Sequence, residues 1–279
     1  MPSFTIGDDF SVSYDEWGDP EAPPVVLLHG FTSSNRMWIG QVGPLARQYR
    51  AIAPDLRGHG KTTAPEDLAE YGIVRYAEDL RALLDHLEIT ACALVGCSFG
   101  GMIALQFATT YPERVAALAV SDSSPAYEHP AYDDGFRERE RRMRENEEVV
   151  RKGGTAALGK RAAATVTDGL AADALRQRYA RISSDGFLGA SLTRRERPDL
   201  TPLLKERLTM PVLLCGGDDD PVSCALAVMQ AELPGARVVR FKNAGHGLPT
   251  VRPETFNDVL LRFLADVEDG EPVRASLRV

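Results

Sequence analysis

Apolar and polar residues alternate over residues 4–6 and 10–17, on either side of Gly7-Asp8-Asp9. A period of two buries one face of a strand and wets the other, so this pattern predicts an antiparallel hairpin. The pattern then changes to short, nearly continuous apolar runs at 25–28, 51–53, 93–95, 115–120, 212–214 and 238–239. Such runs suit strands covered on both faces. Between most of them, at 37–49, 74–87, 99–110, 225–233 and 255–267, apolar residues recur at three and four, as in helices with one buried stripe. The alternation predicts an α/β fold: a mainly parallel eight-stranded sheet, flanked by helices and led by an antiparallel edge.

Residues 124–207 break the alternation. They contain helix-like segments split by Gly153-Gly154, Gly169, Gly186 and Pro198, and no strand pattern. Because the stretch lies between two strands of one sheet, it is expected to fold over the sheet's ligand-binding edge. Residues 1–123 and 208–279 then form the core domain, and 124–207 a helical cap inserted in it. The most charged part, 137–148, mixes both signs beside Phe136, Met143 and Val150 at seven-residue spacing. The pattern covers too few heptads for a coiled coil and predicts a solvated helix with one buried stripe. The tail beyond Asp266 is rich in charge and Gly/Pro and is expected to be poorly ordered.

Composition changes this picture mainly by exclusion. A chain of 279 residues that is 44% hydrophobic can bury a sizeable core. A net charge of −8 argues against a nucleic-acid partner or an anionic membrane surface, both of which need a concentrated positive field. No apolar run is long enough to span a bilayer, and the amino terminus lacks the pattern of a secretory signal, which points to the cytoplasm. Cys92, Cys97, Cys215 and Cys224 lack close paired spacing and read as reduced residues, mostly of the core.

Gly96-Cys97-Ser98-Phe99-Gly100 matches G-x-S-x-G between an apolar strand and a helical period. In that context a sharp strand-to-helix turn holds the serine in a strained conformation and presents its hydroxyl above the sheet. A serine hydroxyl needs a base to take its proton, and the base needs an orienting acid. Of five histidines, His29 and His59 sit in glycine-rich turns, His86 in a helix and His129 in the insertion. His246 alone follows the last predicted strand and precedes the last helix, at the same sheet edge as Ser98. The acid is expected after the preceding strand, where Asp218, Asp219 and Asp220 compete; Asp122, after the strand at 115–120, is the reserve position.

Together these segments resemble the α/β-hydrolase superfamily over nearly the whole chain. His29-Gly30-Phe31 looks like its H-G-x turn, and Asp55-Leu56-Arg57-Gly58-His59-Gly60 like its D-x-R-G-x-G loop. Gly217-Asp218-Asp219-Asp220-Pro221-Val222 is similar to its acid loop, in which the residue before proline is the acid, so the resemblance selects Asp220. The ending Gly245-His246 with Pro253-Glu254 also looks familial, although Val251 stands at the usual glutamate position. Gly100-Gly101-Met102-Ile103 and a short cap look most like the 3-oxoadipate enol-lactonase and small-esterase branch, and a serine nucleophile argues against the aspartate-dependent dehalogenases and epoxide hydrolases.

The resemblance implies hydrolysis of a small ester or lactone through an acyl-enzyme, with Ser98, Asp220 and His246 as the triad. The backbone N–H groups of Phe31 and Phe99 are expected to form the oxyanion hole. Their rings, with Phe187 and Trp38, are candidates for the apolar wall of the substrate pocket, although Trp38 reads more as core than as wall, and Arg57 is expected to hold loops. Neither metal nor organic cofactor is implied, and a monomer and a homo-oligomer both remain open. Carbon-carbon bond hydrolysis, lyase or transferase chemistry on the same triad, haloperoxidase-like activity and a non-catalytic binding role are the alternatives.

Overall fold

In the computed structural model, which describes residues 2–271, 273 and 276–279, the first alternating segments form β1 (Ser3–Ile6) and β2 (Phe10–Trp17), paired antiparallel. The apolar runs form β3 (Pro24–Leu28), β4 (Arg50–Pro54), β5 (Cys92–Cys97), β6 (Val115–Ser121), β7 (Val212–Gly217) and β8 (Arg237–Phe241). A further strand, β9 (Ser276–Arg278), pairs parallel with β8. The sheet has nine strands in the order β1-β2-β4-β3-β5-β6-β7-β8-β9, and every pairing beyond β2–β4 is parallel.

Burial on both faces explains the continuous apolar runs. Along β3, Val26 and Leu28 enter one core layer with Leu80, Ile103 and Phe107, while Val25 and Leu27 enter the other with Leu45, Phe256 and Leu260. The first layer lies under α2 (Ile73–His86) and α3 (Phe99–Thr110); the second lies under α1 (Ile39–Leu45) and α10 (Pro253–Glu268). The helix α8 (Ser223–Glu232) follows β7, and the single turn α9 (Leu248–Val251) precedes α10.

Three local expectations change. The apolar period at 37–49 divides into a 3-10 turn at Asn35–Trp38 and the short α1, where Pro44 removes one intrahelical donor. The tail is also more ordered than its composition suggests: α10 continues to Glu268, and β9 adds the ninth strand to the eight expected. All three β9 residues are exposed, so the backbone ladder to β8 and the Arg278–Asp218 ion pair at 2.6 Å hold it instead of an apolar run. Residues 272, 274 and 275 of that tail lie outside the described residues.

Between β6 and β7 stand α4 (Asp134–Ala163), α5 (Gly169–Ala180), α6 (Ser184–Glu196) and α7 (Thr201–Arg207), with no strand among the described residues of the stretch. Phe136 and Val150 are buried and Met143 partly so, while Arg141 pairs with Glu138 and Glu145 on the wet face of α4. At Gly154 the backbone leaves helical geometry, with φ 71° and ψ 176°, so the glycine pair divides α4 into two helical segments across a kink. Glu140 on α4 accepts two hydrogen bonds from Arg194 on α6, at 2.7 and 2.8 Å, in a buried pair. The insertion meets the core backbone to backbone: a Cβ on Gly186 would lie 2.0 Å from the Gly58 carbonyl oxygen. A bridge from Ile182 to His59 lies beside this contact. No described helix is long and apolar enough to cross a membrane.

Candidate active site

Ser98 stands between β5 and α3 with φ 55° and ψ −113°, a left-handed conformation that costs a non-glycine residue. Its neighbours remove the alternatives. A Cβ on Gly96 would lie 2.4 Å from the Gly100 carbonyl oxygen, and one on Gly100 would lie 2.1 Å from that of Leu28 in β3. The chain can therefore turn sharply only with glycine at both positions. The Ser98 N–H donates to Ser121 O at 2.8 Å, and the Ser123 hydroxyl donates to Ser98 O at 2.7 Å, tying the turn to the end of β6.

His246 lies in the loop after β8, and its Nε2 is 2.8 Å from Ser98 Oγ. Its Nδ1 is 2.8 Å from Asp220 Oδ2, in the loop after β7, and Asp220 Oδ1 accepts the Val222 N–H at 3.0 Å. These partners assign the proton on the neutral ring to Nδ1, which donates to the carboxylate and leaves Nε2 to accept from the serine hydroxyl. Burial favours the neutral form of Asp220, but the hydrogen bond and charge of His246 and the Val222 N–H outweigh it and hold the carboxyl below its ordinary range. Asp219 is exposed, and Asp218 turns to Arg278 on β9.

The other histidines tie loops together. His29 Nδ1 lies 2.9 Å from Gly30 O while Nε2 accepts the Leu56 N–H, and burial lowers the ring to about 4. His59 Nδ1 lies 3.0 Å from Arg57 O while Nε2 accepts the Thr32 N–H at 3.3 Å; burial, then the charge of His29, lower it to about 3. Arg57 forks onto Asp79 at 2.7 and 2.8 Å, a loop tie as expected. The loop these groups hold passes beside the serine: a Cβ on Gly30 would lie 3.5 Å from Ser98 Cβ. The N–H groups of Phe31, in this loop, and Phe99, the first residue of α3, have no protein acceptor among the described residues. Arg178 reaches down from α5 to the same loop, donating to Phe31 O at 3.1 Å and Thr32 Oγ1 at 3.0 Å.

Asp122, the reserve position, is also here. It is buried directly after β6 with φ 52°, and its Oδ2 accepts from Ser121 Oγ at 2.6 Å and from the Leu248 N–H at 2.9 Å. Its Oδ1 is buried without a partner among the described residues. Burial, opposed by the His246 charge but reinforced by that of Asp220, lifts this carboxyl from 3.8 to about 6. Ligand atoms of Asp122, Asp220 and His246 lie within 4.8 Å of one another, as a metal site would need. A cation there would have to break the His246–Asp220 hydrogen bond, since one atom of each is already used in it.

The raised Asp122 value has a thermodynamic consequence. The folded chain binds this proton more tightly than the unfolded one, so the contribution is complete below 3.8 and is lost as pH rises through about 6. Asp122→Asn stays neutral and keeps an acceptor for Leu248. Urea unfolding should therefore find the variant more stable than wild type by roughly 2 kcal/mol at pH 8, with little difference at pH 4. A variant no more stable at pH 8 would refute this.

A cleft of about 620 Å³ opens over Ser98 and His246, walled by Phe31, Met37, Ile39 and Val251, by Ala174, Gln177 and Arg178 of α5, and by Arg181, which caps that helix. Two pocket candidates are elsewhere, Trp38 in the core as its alternative reading had it. Trp38 is fully buried in the opposite core layer against Phe256, because the 3-10 turn directs its ring beneath α10. Phe187 is also fully buried and supports Phe31 from behind, with ring centroids 4.8 Å apart. Phe99 likewise sends its ring into the core, against Tyr76. The α5 face that does line the cleft carried one legible signal, four residues at helical spacing over positions 174–181.

A family model described as alpha/beta hydrolase fold matches residues 23–253. A Bacillus subtilis protein with the provisional name 2-succinyl-6-hydroxy-2,4-cyclohexadiene-1-carboxylate synthase is 30% identical over 280 residues, covering 95% of this chain and 98% of that protein. The bifunctional esterase/perhydrolase of Acinetobacter calcoaceticus is 27% identical over 283 residues, covering 95% and 99%. Among solved structures, one from a study of carboxylesterases of the thaumarchaeon Nitrososphaera gargenis aligns with a TM-score of 0.85 and 25% identity, covering 96% of this chain and all of that one.

Proposed function

This chain belongs to the alpha/beta hydrolase fold family, and from that premise we propose that it cleaves a small carboxylic ester or lactone through an acyl-enzyme. The observation that carries the reading is the unbroken line from Asp220 Oδ2 through His246 to Ser98 Oγ, with 2.8 Å at each step. In this reading Ser98 Oγ attacks the carbonyl carbon as His246 Nε2 takes its proton, and Asp220 stabilises the imidazolium. The Phe31 and Phe99 N–H groups receive the developing oxyanion. His246 then returns the proton to the leaving oxygen and activates water to clear the acyl group. Residues 124–207 serve as the cap, and the free, mostly buried cysteines support a cytoplasmic site of action.

Rapid mixing with 4-nitrophenyl acetate tests the acyl-enzyme directly. The expected result is a burst of nitrophenolate stoichiometric with protein and an acetyl group on the peptide containing Ser98. Turnover with an adduct on another residue would overturn the assignment. A second reading, lyase chemistry in which His246 abstracts a proton, is favoured by the synthase name of the Bacillus relative, matched over nearly its full length. The two separate on whether water is incorporated into the product.

A further inference from the structure

We propose that the cleft accepts substrates bearing a carboxylate remote from the scissile carbonyl, and that Arg36 and Arg181 bind it. Arg36 comes from the core, in the 3-10 turn before α1; Arg181 closes α5 of the insertion, one turn beyond Arg178. All three arginines line the same cleft as Ser98 and His246, and among the described residues no aspartate or glutamate does. This runs against the composition, since acids exceed bases by eight over the chain.

Many arginines elsewhere pair with carboxylates, whether buried, as in Arg194–Glu140, or exposed, as in Arg141–Glu138. Others, such as Arg47 and Arg262, form no ion pair among the described residues, so what sets the cleft apart is three arginines gathered on one wall with no acid beside them. Arg36, Arg178 and Arg181 form no ion pair among the described residues. Arg178 is partly occupied, because Nε and one Nη hold the Phe31–Thr32 loop. The Arg36 and Arg181 guanidinium groups have no hydrogen-bond partner of their own in the described residues, so their donors remain for a ligand. A guanidinium is a planar fork matched to a carboxylate, and cations of one sign on a concave wall concentrate an anion there. The apolar wall of Phe31, Met37, Ile39 and Val251 suits the carbon chain between the carboxylate and the reacting carbonyl.

The inference rests on the hydrolase reading only for which bond breaks. The test compares mono(4-nitrophenyl) glutarate with 4-nitrophenyl valerate, equal in chain length and different in charge. At low ionic strength kcat/KM for the anionic ester should exceed that for the neutral one by about tenfold or more, and added salt should shrink the ratio. In the double variant R36Q/R181Q the ratio should fall to about one. Arg207→Gln, which removes an exposed charge outside the cleft lining, should leave the ratio as in wild type.

Calorimetry of glutarate binding to Ser98→Ala provides a readout independent of turnover, with binding expected to weaken when both arginines are replaced. Esters cleaved with a ratio indifferent to Arg36 and Arg181 would overturn the anion site and leave the hydrolase reading standing. Glutarate binding that needs both arginines, in a protein that cleaves neither ester, would do the reverse. Inorganic phosphate binding more tightly than glutarate would overturn the choice of carboxylate.

Discussion

Ser98→Ala is expected to lower kcat/KM for ester hydrolysis by about a thousandfold or more, the scale on which losing a triad nucleophile acts. The hydroxyl is the only atom removed. Among the described residues the Ser98 side chain has one partner, His246 Nε2, while the turn is held by the Ser98 N–H on Ser121 O and the Ser123 hydroxyl on Ser98 O, both of which alanine retains. The left-handed φ is imposed by the packing of Gly96 and Gly100, which the substitution does not touch. The variant should therefore unfold at nearly the wild-type temperature and still bind substrate, leaving only the catalysis supplied by the Phe31 and Phe99 N–H groups and by binding. Turnover above about one hundredth of wild type, with contamination excluded by active-site labelling, would sink the nucleophile assignment.

Asp220→Asn is expected to lower kcat by about a thousandfold to ten-thousandfold while leaving the fold intact. Asparagine can keep the Val222 N–H on its carbonyl oxygen, but it then presents an amide to His246 Nδ1. That removes the negative charge that stabilises the imidazolium and favours the tautomer with the proton on Nε2, which cannot accept from Ser98. The neighbouring carboxylates supply the control. Asp219 is exposed and Asp218 faces Arg278, so neither asparagine variant should change kcat more than about twofold. Asp122 gives the sharper contrast, being buried within reach of the same histidine. Its Oδ2 is engaged by Ser121 and Leu248, and its role here is to hold the loop that carries His246. A larger loss of kcat from Asp122→Asn than from Asp220→Asn would reverse the acid assignment while leaving Ser98 in place.

What could be read without the structure was what covalent neighbours determine. Continuous apolar runs separated by helical periods were enough for the α/β sheet, because the number of buried faces is written into the period of the pattern. Ser98 was legible because Gly96 and Gly100 are needed by a turn only five residues long, and His246 because its position after the last apolar run puts it at the same sheet edge. Asp220 was only half legible: three adjacent carboxylates satisfied the local argument, and the familial proline register had to choose among them. The remaining features depend on residues far apart in the chain. β9 is held by a backbone ladder to β8 and has no apolar run to announce it. Phe187 looked like a pocket aromatic and Trp38 could be read as core or wall, yet both rings are covered by elements distant in sequence, and Arg36, Arg178 and Arg181 are on the cleft wall. Periodicity shows that a side chain has a buried or a wet side, but where it points is decided by how helices cross and loops close over the sheet, and those contacts form only in the folded chain.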